Sequence, residues 1–260
     1  MLPAQGWLRR RRGSLRTIAV ALSKGGCGKT TTAVNLAAGL ARAGSRVLLV
    51  DADTQGQAAP SLAKEPDVGL AELLSGEIGL SEAVWKARER LWLIPGGQAL
   101  GGSKRTIARM DEGAERVLAK ALAPVAGQYD YVIIDSAPGW DTLTVNVLFY
   151  AEEVLAPVSL EPLTIRGLLD FERRLEAIQQ YHPVRLSYVL PTFLDGRVKK
   201  SAELLPQLQA VYGERVCQAI RYNVRLSEAP AFGQTIFEYA PHSAGAEDYQ
   251  RLTERIARDG

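Results

Sequence analysis

The sequence predicts an α/β fold: one open, doubly wound, mostly parallel sheet with helices on both faces. Two observations lead there. Apolar runs of strand length alternate along the whole chain with stretches of helical periodicity. A glycine-rich loop, residues 24–31 (KGGCGKTT), joins the first apolar run to the first helical stretch. In a sheet of this kind, ligands gather at the carboxyl ends of the strands.

The elements follow in order. Residues 17–22 (TIAVAL) form the strand that feeds the loop, and residues 31–44 form the helix that leaves it. Residues 46–51 (RVLLVD) suit a strand buried on both faces. Further strands are expected at residues 91–95, 129–135, 153–158, 184–191 and 217–220, with helices at 104–122, 165–181 and 199–212 and a closing helix at 244–257. Residues 16–260 form a single domain, and residues 1–15 a disordered basic tail. Four consecutive arginines at 9–12 suggest a twin-arginine export signal. The apolar run that follows is about six residues long, shorter than the roughly 7–15 such a signal needs, and the sheet needs it as a strand.

Composition sets limits. At 47% hydrophobic and 23% charged, the chain builds a sizeable core. No apolar stretch approaches the roughly 20 residues of a membrane helix, so no membrane partner is expected. The balance of 31 basic and 29 acidic residues gives +2, no global pull toward nucleic acid, so DNA binding requires a local patch. Two cysteines, Cys27 and Cys217, and two histidines, His182 and His242, are too few for a metal cluster or a disulfide framework. A reducing cytoplasm fits.

The loop carries the chemistry. A strand leading through glycines into a helix N-terminus offers free backbone N–H groups and the positive end of the helix dipole to an anion. Gly25, Gly26 and Gly28 let the backbone curl around a phosphate chain, with Cys27 and Thr31 completing the cradle. Lys29 is placed to reach the β- and γ-phosphates and the Thr30 hydroxyl to ligate Mg²⁺. This is a nucleoside triphosphate site. The usual loop has glycine at position 23, where this chain has Ser23 and then a second lysine, Lys24. Two ammonium groups on so short a loop repel unless one polyanion serves both. Asp135 ends an apolar strand, the placement of a carboxylate that holds Mg²⁺ through water. Asp51 and Asp53, in DADTQGQ after the second strand, are candidates to orient or deprotonate the attacking water, and Asp53 also to reach the metal through water.

Residues KGGCGKTT, VLLVDADTQGQ, YDYVIIDSAPG, LTVNVL and NVRLSEAPAFGQTIFEYAPHSAGAEDY together resemble the ParA/Soj chromosome- and plasmid-partition ATPases, over residues 16–258. The resemblance implies ATP and Mg²⁺ as cofactors, with Lys24 reaching across a homodimer interface and Asp53 as the hydrolytic aspartate. It implies that Asn223, with Arg221 beside it, meets the nucleotide base. It implies that Arg197 and Arg225 bind non-specific double-stranded DNA; at a net charge of only +2, such binding requires Arg197, Lys199, Lys200, Arg221 and Arg225 to share one face. The implied partners are a second copy of the chain, DNA and a ParB-like centromere-bound activator that speeds a slow turnover. The implied location is the cytoplasm, on the nucleoid. This chain departs from the family at Cys27, usually Val, at residues 54–57, and at Arg221 and Tyr222, usually Pro and Arg. Residues 96–106 (GGQALGGSKRT) also lack the family's usual sequence.

Other readings use the same loop. A related positioning ATPase for a protein cluster or an organelle shares the chemistry. A membrane switch of the MinD type needs a wide apolar face on the last helix, whereas Tyr249, Leu252 and Ile256 form a narrow stripe suited to a core. A nitrogenase-type reductase needs paired cluster cysteines, and Cys27 is inside the loop. A silent DNA-bound scaffold is disfavoured by the presence of Lys29, Asp53 and Asp135 together.

Overall fold

The computed structural model of the chain describes residues 15–260. The expected arginine tail lies outside the described residues, Leu15 excepted. Seven strands, β1 (Arg16–Val20), β2 (Val47–Ala52), β3 (Trp85–Arg88), β4 (Leu91–Ile94), β5 (Tyr131–Ser136), β6 (Glu153–Ser159) and β7 (Arg185–Thr192), form one sheet in the order β3-β4-β2-β5-β1-β6-β7. Every neighbouring pair is parallel except β3 with β4. The helices are α1 (Lys29–Arg42), α2 (Leu70–Ser75), α3 (Leu80–Ala83), α4 (Leu100–Ile107), α5 (Val117–Leu122), α6 (Thr142–Tyr150), α7 (Pro162–Gln179), α8 (Lys199–Tyr212), α9 (Val224–Glu228), α10 (Ile236–Tyr239) and α11 (Ala244–Arg258). The doubly wound architecture is as the sequence predicts.

The central strands are buried on both faces, which explains why their sequences read as unbroken apolar runs. Alternate side chains feed two cores. Ile18, Val20, Val47, Leu49 and Ile133 meet α1 and α11 on one face. Ala19, Leu48, Val50, Val132 and Ile134 meet α6 and α7 on the other. Tyr249, Leu252 and Ile256 of α11 are buried in the first of these cores. The stripe on the last helix is therefore a core stripe, and among the described residues no helix is long and apolar enough to cross a membrane.

At the amino ends of the strands, the buried Arg16 binds both carboxylate oxygens of Glu153, at 2.7 and 2.9 Å, the Tyr188 hydroxyl at 3.0 Å and the carbonyl of Ile256 at 2.5 Å. Burial alone would push Glu153 up, but its hydrogen bond and ion pair with Arg16 hold it below the usual carboxylate range. One guanidinium thus ties β1, β6, β7 and the end of α11 together, away from the ligand edge.

Three expectations are corrected. Residues 104–122 are two helices, because Gly113 turns into the left-handed region (φ +71°) behind Asp111 and Glu112; α4 also begins earlier, at Leu100. Residues 217–220 run beside β7, with Cys217 N–H to Val189 O and Ile220 N–H to Pro191 O both at 2.8 Å, but are not a strand of the sheet; the isolated bridges here fall at Val216 and Arg221. β3 was not anticipated, since its residues are only half-buried and lack an apolar run.

α1 and α11 cross closely at Gly39, where an added Cβ would overlap the buried Thr253 side chain. Gly39→Ala gains about 1 kcal/mol of helix propensity, but overpacking costs about 1–3 kcal/mol. Urea unfolding is expected to show a net loss of about 1 kcal/mol, recovered when Thr253→Ala is added.

Candidate nucleotide site

The phosphate loop leaves β1 and enters α1 through Gly28, the N-cap residue, at φ +88°. That left-handed turn aims the unpaired N–H groups of the first helical turn into the loop. Lys29 is 6% exposed, and its Nζ donates to the Lys24 carbonyl at 2.7 Å, so the ammonium lies inside the curl of the loop. Cys27 packs beneath, with its thiol donating to the same carbonyl at 3.3 Å and its own carbonyl accepting from Thr192 Oγ1 of β7 at 3.0 Å. Burial pushes the Cys27 thiol up, which makes it a packing residue rather than a redox one.

Lys24 points elsewhere. Its Nζ donates to Glu161 Oε2 at 3.0 Å and to Thr164 Oγ1 at 2.9 Å, and Thr164 in turn meets Ser159 Oγ at 2.7 Å. The side chain is about one-third exposed and rests against the first turn of α7. Sequence reasoning missed Glu161 and Thr164, for which no local motif existed.

Three carboxylates converge where β1, β2 and β5 end. Register pairs Asp135 with Val20 on one side and with Asp51 on the other. Asp51 Oδ1 accepts from the Asp53 N–H at 2.9 Å and Oδ2 from the Ala58 N–H at 3.0 Å, so this carboxylate shapes the turn that follows β2. Burial raises its pKa to about 6, against those two N–H bonds. Asp53 Oδ1 caps the Gln55 N–H at 3.0 Å. Asp135 is fully buried, and neither of its oxygens has a hydrogen-bond partner among the described residues. Burial and then the Asp51 charge push its pKa well above the usual range; Thr30 and Lys29 pull the other way without closing a hydrogen bond. A buried carboxylate left unpartnered beside a phosphate loop fits a hydrated divalent cation. Thr30 and Asp135 are the residues that would hold it, with Asp53 nearby.

Residues 96–106 acquire a place. Gly96 has no room for a Cβ, which would come within 2.6 Å of Asp51 O and 2.7 Å of Asp53 O. The Gly97 N–H donates to Asp53 O at 3.0 Å. A Gly-Gly pair directly after a strand is a signal of such close approach.

A second edge gathers the basic residues. The Leu194 N–H donates to Ile220 O at 3.0 Å and the Tyr222 N–H to Leu194 O at 2.9 Å, which brings the loop of Arg197 beside the segment of Arg221, Asn223 and Arg225. Asn223 Oδ1 accepts from the Arg225 N–H at 2.9 Å and caps α9. Arg197 pairs with Asp195 at 2.8 Å and Arg225 with Glu228 at 2.9 Å, both near the surface. Arg221 stands apart from these. Its guanidinium binds the buried Asp248 at 2.7 Å and Glu247 at 2.6 Å, tying this edge to α11. Lys199 and Lys200 open α8, and their side chains lie outside the described residues.

A family profile described as an AAA domain matches residues 15–188. The chromosome-partitioning ATPase Soj of Thermus thermophilus is 42% identical over 250 residues, covering 94% of this chain and 96% of that protein. The sporulation initiation inhibitor protein Soj of Bacillus subtilis is 36% identical over 256 residues, covering 94% and 99%. The chain belongs to the Soj/ParA family of chromosome-partitioning ATPases. Among solved structures, a Mycobacterium smegmatis protein described as cobyrinic acid a,c-diamide synthase, with a bound ATP analogue and magnesium, superposes at TM-score 0.80 with 33% identity, covering 94% of this chain and 95% of that one. A McdA variant of Cyanothece in complex with ATP superposes at 0.82 with 25% identity, covering 94% and 95%.

In this Soj/ParA chain the unpartnered Asp135 has a stability consequence. A carboxyl whose folded pKa is raised contributes stability below its unfolded pKa and loses it as pH rises through the folded value. Asp135→Asn is therefore expected to be more stable than the parent at neutral pH without nucleotide or Mg²⁺, by about 1–3 kcal/mol. Denaturant melts should show the gap closing toward pH 4, and Mg²⁺ stabilising the parent alone.

Proposed function

We propose that the chain is an ATP hydrolase whose nucleotide state sets its oligomeric and DNA-bound state, and that this cycle drives partition of a chromosome or plasmid. The observation that carries the reading is a pair of placements: Lys29 bonded to main chain inside the phosphate loop, and, near the end of the neighbouring strand, a buried Asp135 whose oxygens have no partner among the described residues. ATP and Mg²⁺ are its cofactors. The metal, when bound, neutralises charge on the β- and γ-phosphate oxygens. Lys29 exchanges the Lys24 carbonyl for those phosphates, while the first N–H groups of α1 hold the chain of anions. Thr30 and Asp135 would hold the metal. Asp53 orients a water for in-line attack on the γ-phosphorus and takes its proton, and the β–γ P–O bond breaks to leave ADP and phosphate. Asn223 reads the base from the second edge, which Arg221 fixes to α11.

Lys24 completes a second chain's site. Its bonds to Glu161 and Thr164 are partly exposed, and exposed ion pairs contribute little, so a partner's phosphates displace them readily. Two ATP molecules are then sandwiched between two protomers. The same dimer doubles the basic edge of Arg197 and Arg225, with Lys199 and Lys200 beside it, and holds non-specific duplex DNA through effective concentration. Loss of the γ-phosphate releases both. Turnover is slow alone and is raised by a ParB-like partner bound at the centromere. The protein works in the cytoplasm, on the nucleoid.

Sedimentation with ATP tests the lysines. Lys29→Ala is expected to abolish ATP binding; Lys24→Ala is expected to bind ATP as a monomer and fail to dimerise. A Lys24→Ala protein that dimerises like the parent overturns the cross-dimer role.

Arg225→Glu is expected to weaken ATP-dependent binding to every duplex alike while sparing dimerisation. Its salt slope should fall by about 0.9 for each DNA phosphate that the variant no longer neutralises. Filter binding at several salt concentrations reads both effects, and parental binding throughout refutes this edge as the DNA surface.

A further inference from the structure

Residues 96–107 tie two of the loops around the phosphate site to each other. At one end, the Asp53 carbonyl accepts from Gly56 N–H at 3.1 Å and Gly97 N–H at 3.0 Å, and Gly96 lies against the backbone of Asp51 and Asp53 with no space for a side chain. Gly56 meets Gly97 across the same contact, where an added Cβ would lie 3.0 Å from Gly97 Cα. The grip of residues 96 and 97 on the Asp53 turn is therefore made by backbone. At the other end, on α4, Lys104 Nζ pairs with Asp141 Oδ2 at 2.5 Å. Asp141 Oδ1 caps α6 through Leu143 N–H at 3.0 Å and Thr144 N–H at 2.9 Å. Burial would raise the Asp141 carboxyl, but the Lys104 hydrogen bond and the helix cap outweigh it and hold it low.

The segment before Asp141 closes the circuit. It leaves β5 just after Asp135, and its Gly139 N–H donates to Ser23 O, in the phosphate loop, at 2.8 Å. The order of contact is thus Asp53, Gly97, α4, Lys104, Asp141, Gly139 and Ser23. Between α4 and the Asp141 segment the link is the Lys104–Asp141 ion pair, with a longer hydrogen bond from Thr142 Oγ1 to the Lys104 carbonyl at 3.4 Å beside it. The other two glycines of the segment, Gly101 and Gly102, are not crowded, so the close approach is confined to the Asp53 end.

We propose that α4 and its leading Gly-Gly turn are a strut that sets Asp53 at a fixed position relative to the phosphate loop, with Lys104 as its positioning residue. The Lys104 ammonium pairs with Asp141 rather than with a residue of the phosphate loop. It acts through Asp141 on one loop and through Gly96 and Gly97 on the other. The inference rests on the proposed role of Asp53 in orienting water. Displacements of about 1 Å produced far from the chemistry cost up to 10²-fold in rate, so a loosened strut shows in hydrolysis before it shows in ATP affinity.

The test compares Lys104→Ala, Lys104→Arg, Asp141→Asn and Asp53→Ala in the full chain. Asparagine keeps the helix cap and removes the charge. Lys104→Ala and Asp141→Asn are each expected to slow phosphate release at saturating Mg-ATP about ten-fold, with affinity for a fluorescent ATP analogue within two-fold of the parent. Lys104→Arg restores the rate. In nucleotide-free protein, hydrogen exchange at the Gly56 and Gly97 amides should quicken in Lys104→Ala and return to the parental rate in Lys104→Arg. Parental phosphate release, parental exchange, or an affinity loss matching the rate loss overturns the strut. Slow Asp53→Ala with parental Lys104→Ala refutes the strut alone. Parental Asp53→Ala removes the role of Asp53, and the strut falls with it.

Discussion

A carboxylate without a partner governs the ligand edge of this sheet. Asp135 is the last residue but one of β5, the strand that lies between β1 and β2, so its neighbours are the phosphate loop on one side and the Asp51 turn on the other. A fully buried, unpartnered acid is costly in a folded chain, and proteins keep such groups where a ligand completes them. The surroundings are arranged accordingly. Asp51 spends both oxygens on backbone N–H groups and leaves Asp135 alone, and Lys29 turns to a backbone carbonyl rather than to the acid. Each loop around Asp135 is tied down by contacts of its own, so the gap in hydrogen bonding falls on the one group whose charge a cation satisfies.

How much of this could be read beforehand follows from the range of each interaction. Strands buried on both faces declare themselves as apolar runs, and the phosphate loop carries its glycines and Lys29 within a few residues, so both were legible. Asp135 was legible because it ends such a run. The ties between loops were not, since Lys24 with Glu161 is separated by 137 positions and Lys104 belongs to a segment without a known pattern. β3 escaped because an antiparallel edge strand buries too little to need apolar residues. The helix at 104–122 was overextended because helical periodicity outweighed Asp111, Glu112 and Gly113, whose turn chemistry was the stronger signal.

The basic edge illustrates a limit of counting charge. Arg197, Arg221 and Arg225 are close in the fold, yet each faces an acid of this chain. The three pairs are not equivalent. Arg221 binds the buried Asp248 through both its guanidinium and its own backbone N–H, with Arg251 also 3.6 Å from that carboxylate, so it belongs to the scaffold. Arg197 pairs with an acid two residues away in its loop and Arg225 with one three residues along α9, near the surface, where ion pairs hold weakly and salt screens them. Only the latter kind of arginine is free to exchange its acid for a phosphate. The departure from family sequence at position 221 thus moves one cation from the surface inventory into the framework and leaves the neighbouring two available.

The same comparison applies to the two lysines of the loop, and it orders the steps of the proposed cycle. Lys29 is buried and bonded to main chain within its own loop, so it meets whatever phosphate enters. Lys24 is partly exposed and bonded to a glutamate that is itself mostly exposed, a contact that nucleotide in its own loop does not directly contest. A ligand shifts an equilibrium only by its differential affinity for the two states. ATP in the same chain has little to offer Lys24, whereas a second chain's triphosphate offers it several anionic oxygens. In the proposed cycle, monomeric binding engages Lys29 and leaves Lys24 with Glu161, and the transfer of Lys24 waits for a partner.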